Sequence, residues 1–410
     1  MYLFLSFFAT MFYMADKTKK TNQILSRGVE DIVVKKDLER LLNSGKKLRV
    51  YYGIDPTSTK IHLGHAVPLR KLREFAEAGH KTILLIGSFT AQIGDPTDRD
   101  AARVPLSQKE IEENFQTYKK QASKILDFSK TKVVYNADWL SRLSFGDVVR
   151  LAQKFTVQQM LERDMYQKRL KEGKPIGLHE FFYPLMQGYD SVELEVDLEI
   201  GGTDQLFNML AGRLLLKEYK NKDKHVLTAP LLEGLDGRKM SKTFGNTVNI
   251  SDDPDDMFGK IMSLRDDLII KYFELCTDIS DAEIHDLKEG LKSGDNPRNA
   301  KAYLAREIVK IYHGEQFAQR AENAFDNVFV KGGKPEAIKQ VKIKKGVYQA
   351  DELLFELGVV ASKSEAKRVI EQAGAKMDDK IIKDWKQKIK VKDGMVVQVG
   401  KRKFVKIQIV

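Results

Sequence analysis

Apolar runs and helically spaced apolar residues alternate along the first 250 residues of the chain. The run at 81–86 (KTILLI) is apolar nearly throughout, as expected for a parallel strand covered on both faces. A shorter β-rich run lies at 48–54, and between the two the apolar spacing predicts a helix over 64–78. Further strands are predicted at 132–135, 194–200 and 226–232. The alternation favours an α/β fold with a Rossmann-like, doubly wound parallel sheet and a site at the carboxyl ends of its strands.

The pattern changes after about residue 250. Residues 251–330 read as helical throughout, and 331–345 have the Gly, Pro and Lys content of a linker. The last stretch predicts short helices at 351–357 and 363–372, followed by β-rich segments. The expected domains are an N-terminal extension, a catalytic domain, a helical region, a linker and a small α+β domain, at 1–24, 25–250, 251–330, 331–345 and 346–410.

The first 14 residues form an apolar run with its lysines after it. The run is shorter than the ~20 residues that span a bilayer. It has no basic segment before it and no small-residue cleavage site after it, unlike a signal peptide. We interpret it as an upstream extension, with Met14 as a candidate start, and expect a cytoplasmic protein without membrane association. Export is the less favoured alternative.

Composition narrows the class of protein. The chain has 410 residues, of which 42% are hydrophobic and 31% charged, as in soluble globular proteins of two or three domains. A single cysteine, Cys276, excludes an intramolecular disulfide and a thiolate-based zinc site. This cysteine usage is typical of a reducing compartment.

Positive charge is concentrated at the C-terminal end. Residues 341–410 hold 17 Lys and Arg against 9 Asp and Glu, in a chain whose net charge is +11. A basic domain on a nearly neutral body predicts contact with a polyanion such as RNA. From charge alone, a solvated lysine-rich surface is the competing interpretation.

One candidate site lies between the strand predicted at 48–54 and the start of the following helix. His62 and His65 flank Gly64 at the start of this helix. A helix N-terminus offers free N–H groups and partial positive charge to phosphate, and Gly64 lets a flat base approach the backbone. Taken alone, the pattern is more often a structural turn or a partial metal site.

A second candidate site is the loop at 237–243 (GRKMSKT). Lys239 and Lys242 lie three residues apart, beside the hydroxyls of Ser241 and Thr243. Such groups can clamp a polyphosphate whose charge grows as its bond breaks. By itself, the run is more often an ordinary surface loop.

Together and in this order, HLGH and KMSKT resemble the two signature motifs of class I aminoacyl-tRNA synthetases. The resemblance implies that a substrate carboxylate attacks the α-phosphorus of ATP, with no general base required, while charge develops on pyrophosphate. Stabilisation of that charge is assigned to Thr57, His62, His65, Lys239 and Lys242. ATP binding is implied for Gly53, Asp55, Gly64, Asp204, Lys239, Ser241, Lys242 and Thr243.

A polar stripe on the segment 181–190 bears on the amino-acid substrate. Tyr183, Gln187 and Asp190 are spaced i, i+4 and i+7, on one face of a helix. The spacing alone leaves open whether this face lines a site or faces solvent. The segment resembles the tyrosine-binding helix of bacterial-type tyrosyl-tRNA synthetases.

That resemblance implies a role for each matching position. Tyr51 and Asp190 would hold the substrate's phenolic hydroxyl, while the ammonium group would be held by Tyr183, Gln187 and Asp95. In the segment 200–205, Asp204 would contact the ribose of ATP and Gln205 would line the amino-acid pocket. Phenylalanine has no hydroxyl and would leave a buried acceptor unpaired, so such a site discriminates strongly against it. Tyrosyl-tRNA synthetases are themselves the standard example, with a preference for tyrosine over phenylalanine on the order of 10⁴–10⁵.

The C-terminal stretch resembles the S-four-type RNA-binding module. The resemblance places Ser362, Lys363, Lys367 and Arg368 on a helix that contacts RNA backbone. The likeness to the synthetases then runs from about Leu25 to the end. It implies tRNA(Tyr), L-tyrosine and ATP with Mg²⁺ as partners, a homodimer, and no zinc.

Two other functions remain as alternatives. One is a different nucleotidyltransferase of the HxGH type, against which the basic module and the phenol-binding pair both count. The other is a non-catalytic RNA-binding derivative of a synthetase, but both histidines and both loop lysines are present. The related tryptophanyl-tRNA synthetases would not need Tyr51 and Asp190 as a phenol-binding pair.

Overall fold

The computed structural model describes residues 21, 23–57, 59–97, 107–241, 244–329, 338–400 and 403–410. Its first part is built on a six-stranded sheet. The strands are β1 (Asp31–Val33), β2 (Arg49–Ile54), β3 (Lys81–Ile86), β4 (Thr131–Tyr135), β5 (Leu198–Gly202) and β6 (His225–Ala229).

The strand order in this sheet is β1-β6-β5-β2-β3-β4. Strands β2 to β6 pair in parallel, and β1 pairs antiparallel with β6 at the edge. The chain leaves β2 toward β3 and β4 on one side and returns to β5 and β6 on the other. The crevice at the carboxyl ends of β2 and β5 is therefore the switch point at which open α/β sheets bind ligands.

Helices connect and cover these strands. In chain order they are α1 (Lys35–Asn43), α2 (Leu63–Glu77), α3 (Thr90–Ile93), α4 (Gln108–Ala122), α5 (Ala137–Leu140), α6 (Phe145–Ala152), α7 (Val157–Leu161), α8 (Asp164–Lys171), α9 (Phe182–Leu194) and α10 (Leu206–Lys220). The segments Leu178–Phe181 and Thr203–Gln205 are single 3-10 turns.

The described residues that follow are helical up to Phe329. They form α11 (Pro254–Met262), α12 (Ile269–Cys276), α13 (Asp281–Lys292), α14 (Pro297–His313) and α15 (Glu315–Phe329), with a 3-10 turn at Asp266–Leu268. Their apolar faces join the core of the α/β part. Cys276 lies in this core, where burial raises the pKa of its thiol to about 12.

The C-terminal part has a sheet and a hydrophobic core of its own. Its strands are β7 (Lys339–Ile343), β8 (Val347–Gln349), β9 (Ala375–Met377), β10 (Lys380–Ile381), β11 (Lys388–Lys390), β12 (Val396–Val399) and β13 (Lys403–Ile409), and its helices are α16 (Ala350–Glu356) and α17 (Lys363–Glu371). Five strands are ordered β10-β9-β12-β13-β7, while β8 and β11 form a separate pair.

The strand expected at 81–86 is confirmed, but two others were placed too broadly. In the expected strand 194–200, Leu194 is the last residue of α9, which ends at Glu195 in the left-handed conformation (φ 45°), and the strand begins at Leu198. The strand expected at 226–232 stops at Ala229, because Pro230 has no N–H to donate to a ladder.

The linker expected at 331–345 is wrong for its second half. Strand β7 pairs in parallel with β13, Ile343 opposite Ile409, and Ile343 is buried. Lysines alternate with Val341 and Ile343 in this segment, so a strand with one apolar face was hidden by its basic composition. Residues 330–337 lie outside the described part of the chain.

Most of the expected N-terminal extension also lies outside the described residues. Its end does not: Ile24 is buried, and its carbonyl accepts a hydrogen bond from Lys71 Nζ at 2.9 Å. The α/β core therefore begins slightly before residue 25. Among the helices described, none has both the length and the apolar character needed to cross a membrane.

Candidate active site

A cavity of about 380 Å³ opens at the carboxyl ends of β2 and β5. Strand β2 runs directly into its wall, and the turn after β5 forms the opposite side. Fourteen of the residues selected from the sequence line this one cavity: Tyr51, Gly53, Asp55, Thr57, His62, Gly64, His65, Asp95, Tyr183, Gln187, Asp190, Asp204, Gln205 and Lys239.

The two histidines build the start of helix α2. His62 caps the helix, its Nδ1 accepting from the backbone N–H of His65 at 3.3 Å, while His65 Nδ1 accepts from the His62 N–H at 3.5 Å. Their rings stack at 3.6 Å. Burial lowers the pKa of His62 to about 2, helped by His65, and lowers that of His65 to about 4. Both rings are therefore neutral, and because Nδ1 is the acceptor, each carries its proton on Nε2.

The lysine loop is joined to this helix start through the backbone. The Leu63 N–H donates to Val248 O at 2.9 Å, and the Ile250 N–H donates to Ile61 O at 2.9 Å. Asn246 organises the loop itself, accepting from the Ser241 N–H at 2.9 Å and donating to Asp236 at 2.7 Å. The two sequence motifs, about 180 residues apart in the chain, thus form one wall.

Within that loop, Lys239 reaches the cavity and its Nζ lies 3.8 Å from Asp204 Oδ2. Ser241 lies in the loop but does not line the cavity. Lys242 and Thr243 are outside the described residues, so their predicted roles rest on the sequence alone.

Asp190 forms the acidic end of the cavity. It is almost fully buried, and it accepts hydrogen bonds from Trp139 Nε1 at 2.8 Å and Asn136 Nδ2 at 3.3 Å. Burial raises the pKa of the Asp190 carboxyl well above its usual range, and these two donors oppose the rise. Sequence reasoning missed Trp139 and Asn136, although Asn136 directly follows the predicted strand at 132–135 and Trp139 comes three residues later, in the region where site residues are expected.

Tyr51 points to the same end from strand β2. Its side chain is fully buried, and its Oη lies 2.9 Å from Ser191 Oγ on helix α9. Burial, together with the negative charges of Glu199 and Asp190, raises the pKa of the Tyr51 hydroxyl well above its usual value. The hydroxyl therefore stays protonated and available for hydrogen bonding.

The residues expected around a substrate ammonium group all line the cavity and are held by different partners. Tyr183 Oη donates to Asp55 Oδ2 at 2.9 Å. Asp95 instead accepts from Gln205 Nε2 at 2.7 Å and from Thr97 Oγ1 at 2.6 Å. Asp55, selected from the sequence for ATP, therefore also orients an amino-acid-side residue.

A glycine makes room for this arrangement. Gly87 follows β3, and a Cβ at this position would lie 1.9 Å from Asp55 Oδ1. The same oxygen accepts from Thr90 Oγ1 at 2.7 Å. Any side chain at Gly87 would therefore displace the Asp55 carboxylate from the cavity wall.

The described residues contain no group of three or more His, Cys, Asp or Glu side chains arranged to hold a metal ion. Three of the carboxylates that line the cavity accept from protein donors: Asp55 from Thr90, Asp190 from Trp139, and Asp95 from Gln205. The walls thus offer acceptors for a polar organic group at one end. At the other end they offer neutral N–H donors, a helix N-terminus and a lysine, which suit phosphate.

The RNA-contact residues selected from the sequence lie on and before helix α17. Ser362 caps the helix through the Glu365 N–H at 3.1 Å, and Arg368 is exposed. Lys363 pairs with Glu352, and Lys367 Nζ lies 3.9 Å from the centre of the Trp385 ring. Trp385 was not singled out from the sequence.

The family model for class I tRNA synthetases of the tryptophan and tyrosine type matches residues 43–330. The fold and the cavity are thus those of a class I aminoacyl-tRNA synthetase.

The relatives of this chain distinguish the tyrosine type from the tryptophan type of this family. The tyrosine--tRNA ligase of Carboxydothermus hydrogenoformans is 48% identical over 404 residues, spanning 96% of this chain and 98% of that protein. That of Thermotoga maritima is 46% identical, spanning 94% and 96%. A crystal structure of tyrosyl-tRNA synthetase with L-tyrosine from Archaeoglobus fulgidus superposes with a TM-score of 0.60 at 26% identity, covering 74% of this chain and 99% of that one. The chain belongs to the tyrosyl-tRNA synthetases of class I, which confirms the family expected from its motifs.

Proposed function

We propose that the cavity activates L-tyrosine with ATP and that the enzyme passes tyrosine to the 3′ end of tRNA(Tyr). One observation carries this proposal: a buried acidic end at Asp190 and a phosphate-type end at His62 belong to the same cavity. A tyrosine whose phenol reaches Asp190 and Tyr51 would present its carboxylate toward the helix start. The related tryptophan enzymes bind an indole, for which a buried carboxylate beside a tyrosine hydroxyl has no such use.

The protein's contribution to the first step is alignment and charge stabilisation. The tyrosine carboxylate is already a nucleophile, so the chain needs to hold it in line with the α-phosphorus. The Nε2–H groups of His62 and His65, with Thr57, Lys239 and Lys242, would stabilise the charge that develops on pyrophosphate. The terminal hydroxyl of tRNA then attacks the tyrosyl-adenylate carbonyl and displaces AMP.

Mg²⁺ would accompany ATP in this scheme. No described group of side chains forms a cage for it. We expect the ion to be held mainly by phosphate oxygens, which is how Mg²⁺ commonly reaches nucleotide sites.

The C-terminal part would serve as an S-four-type module that contacts tRNA. Its basic composition supports this role, as do the exposed Lys363 and Arg368 on one helix. The Nζ atoms of Lys367 and Lys386 lie 3.9 and 4.9 Å from the centre of the Trp385 ring. Such a surface offers cations for phosphate together with an aromatic face on which a base can stack.

The intact chain and a chain ended after Phe329 should separate the two halves of this function. Both should catalyse pyrophosphate exchange that depends on tyrosine, because all described cavity residues and their core precede residue 330. The shortened chain should charge tRNA poorly and with a flatter salt dependence, since phosphate contacts produce the salt slope. The cut must precede β7, because a cut at Lys345 would leave that strand without its partner β13.

The matched control is the intact chain with Lys367→Ala and Arg368→Ala. It should reproduce part of the charging defect without removing the domain. Exchange that does not require tyrosine would contradict the activity, whereas equal charging by both chains at physiological salt would contradict only the RNA role.

A homodimer is the second part of the proposal. The described residues of the connecting helices expose several large apolar side chains: Phe145, Val149, Val157, Leu170 and Leu178. Leu210 and Leu214 on α10 are also exposed, and Lys154 on the segment after α6 pairs with Glu218 of α10 at 2.8 Å. A second copy of this chain would cover these side chains, since large exposed apolar patches mark interfaces.

Phe145→Asp combined with Leu178→Asp should shift the chain from dimer to monomer in sedimentation at micromolar concentration. A charge buried at an apolar interface is unfavourable enough to dissociate it. Phe317→Asp, an equally apolar exposed site on α15, is the control and should not change the mass. A monomeric wild-type chain, or a dimer unaffected by both charges, would contradict this interface.

A cytoplasmic location also belongs to the proposed function.

A further inference from the structure

A buried ion pair lies directly behind the amino-acid end of the cavity. Lys224, just before β6, is fully buried, and it pairs with Glu199 of β5, which is 2% exposed. Neither residue was singled out by its sequence context. Buried ion pairs are on average no more stabilising than apolar residues of the same volume, so this pair calls for an explanation other than stability.

The lysine uses all three of its protons. Lys224 Nζ donates to Glu199 Oε2, to Ser191 Oγ at 2.8 Å and to the Met209 carbonyl at 2.9 Å. Gly212 makes this approach possible, because a Cβ there would lie 2.4 Å from Nζ and 2.6 Å from Ser191 Oγ. An ammonium group cannot accept, so the direction of each of these bonds is fixed.

The direction of the bond from Lys224 to Ser191 bears on the bond between Ser191 and Tyr51. Since Ser191 Oγ accepts from Lys224, its own proton is free for another acceptor, and Tyr51 Oη lies 2.9 Å away. The Glu199 carboxylate also lies within hydrogen-bonding reach of the Tyr51 hydroxyl. With Ser191 donating to Tyr51, and with Glu199 already accepting from Lys224 and Gln187, a substrate phenol competes with Glu199 for the Tyr51 proton. Asp190, at the same end of the cavity, accepts from the phenol in its ionised form, which burial disfavours and the Trp139 and Asn136 donors favour.

We propose that Lys224 and Ser191 are positioning residues for tyrosine selection. Hydrogen bonds run from Lys224 through Ser191 to Tyr51, so that Tyr51 donates to the phenolic oxygen of the substrate while Asp190 accepts its proton. This proposal rests on the proposed placement of the phenol between Tyr51 and Asp190. It adds the direction of the bonds and the two residues that set it.

The same ion pair orients a residue at the ammonium end. Glu199 Oε1 accepts from Gln187 Nε2 at 3.1 Å. With its NH₂ group held by a carboxylate, Gln187 presents its amide oxygen, which is the atom that an ammonium group requires. Lys224 thereby acts, through Ser191 and Glu199, on both polar groups of the substrate.

Ser191→Ala is the main test, because it cuts the chain and leaves the ion pair in place. It should lower the tyrosine/phenylalanine ratio of kcat/KM in pyrophosphate exchange by about 2- to 10-fold, the range for one neutral hydrogen bond. The loss should appear mainly in the KM for tyrosine, and the KM for ATP should not change. Thr131→Val is the matched control: it removes a buried hydroxyl pair with Thr82, also 2.9 Å, that does not line the cavity.

The direction of the bonds is tested with p-aminophenylalanine. Its para nitrogen donates two protons and is a weak acceptor, so a donating Tyr51 should disfavour it. Wild-type enzyme should therefore prefer tyrosine clearly, and Ser191→Ala should narrow that preference. If Tyr51 instead donates to Glu199 or Ser191 and accepts from the substrate, the amine suits both partners. Near-equal use of the two substrates by wild type would then overturn the proposal.

Lys224→Met with Glu199→Gln removes the charges together, because Lys224→Met alone leaves a buried carboxylate unpaired and is liable to unfold. The double variant should fold. Its tyrosine/phenylalanine ratio of kcat/KM should be lowered as far as in Ser191→Ala, and its KM for tyrosine should rise further. Wild-type ratios in both Ser191→Ala and the double variant would overturn the role of the relay. If Tyr51→Phe also leaves the ratio unchanged, the phenol placement itself fails, which distinguishes the two cases.

Discussion

Alanine at His62 or at Lys239 should lower the rate constant for tyrosyl-adenylate formation by about 10²–10³, the usual effect of removing one donor from a preorganised site. Tyrosine binding should change far less, because these groups act on charge that appears only in the transition state. His65→Ala should behave similarly but less severely, since His65 also orients the helix start. Lys242, which lies outside the described residues, should match Lys239. Pre-steady-state adenylation and equilibrium tyrosine binding measure the two quantities.

The competing explanation is that these residues only fold the helix start and the loop. His62→Asn tests it, because asparagine is a good helix cap but its amide is shorter than the imidazole. It should recover the melting temperature without recovering the rate. Arg238→Ala is the control in the loop: this exposed side chain pairs with Asp236 and does not line the cavity. A parallel loss of binding and rate, or a loss explained by melting temperature, would remove the assignment to the transition state.

The neutral state of the histidines adds a pH signature. Burial holds their pKa values at about 2 and about 4, below the ordinary 6.5, so the unfolded chain binds protons first. Their contribution to stability is complete above pH 6.5 and declines as the pH falls toward about 4 and then 2. The adenylation rate should therefore show no histidine titration between pH 6 and 8.

Asp190→Asn should narrow the tyrosine/phenylalanine ratio of kcat/KM by about 10- to 100-fold, as expected when a hydrogen bond to a carboxylate is lost; Trp139 and Asn136 favour that ionised form against the effect of burial. Tyr51→Phe should narrow it by about 2- to 10-fold. The ratio depends on these two residues because tyrosine donates a hydrogen bond to the buried Asp190, whereas phenylalanine leaves Asp190 without a substrate donor. Exchange kinetics with both amino acids give the ratio.

Asp190→Asn also places an amide NH₂ against one of its two donors, Trp139 Nε1 or Asn136 Nδ2, so a loss of stability accompanies it. Asp197→Asn is the matched control. Asp197 is a buried carboxylate that accepts from the Arg49 N–H at 2.8 Å and from Lys46 at 3.0 Å, and it does not line the cavity. It should lower the melting temperature and leave the ratio unchanged. Wild-type ratios in both Asp190→Asn and Tyr51→Phe would refute the phenol site.

Many of the residues that line the cavity could be predicted from the sequence because they belong to short local patterns. A strand end, a helix start and a glycine-flanked lysine loop each fix several residues within a few positions of one another. The polar face of α9 likewise follows from helical spacing. The spacing left open whether this face met solvent or a site, and the buried positions of Tyr183 and Asp190 in the fold place it at the cavity.

Local patterns in the chain were enough for the parallel strands, the two motifs and the stripe on α9, since period, caps and turn residues are properties of neighbouring positions. They did not show that Trp139 and Asn136 donate to Asp190, or that β7 is a strand, because the partners in these contacts are about 50 to 70 residues away. Least visible was Lys224, which lies in a lysine-rich turn that reads as surface. Its burial follows only when β5, β6 and two helices enclose it, because the partners that satisfy an ammonium group inside a protein are brought together by packing and not by sequence.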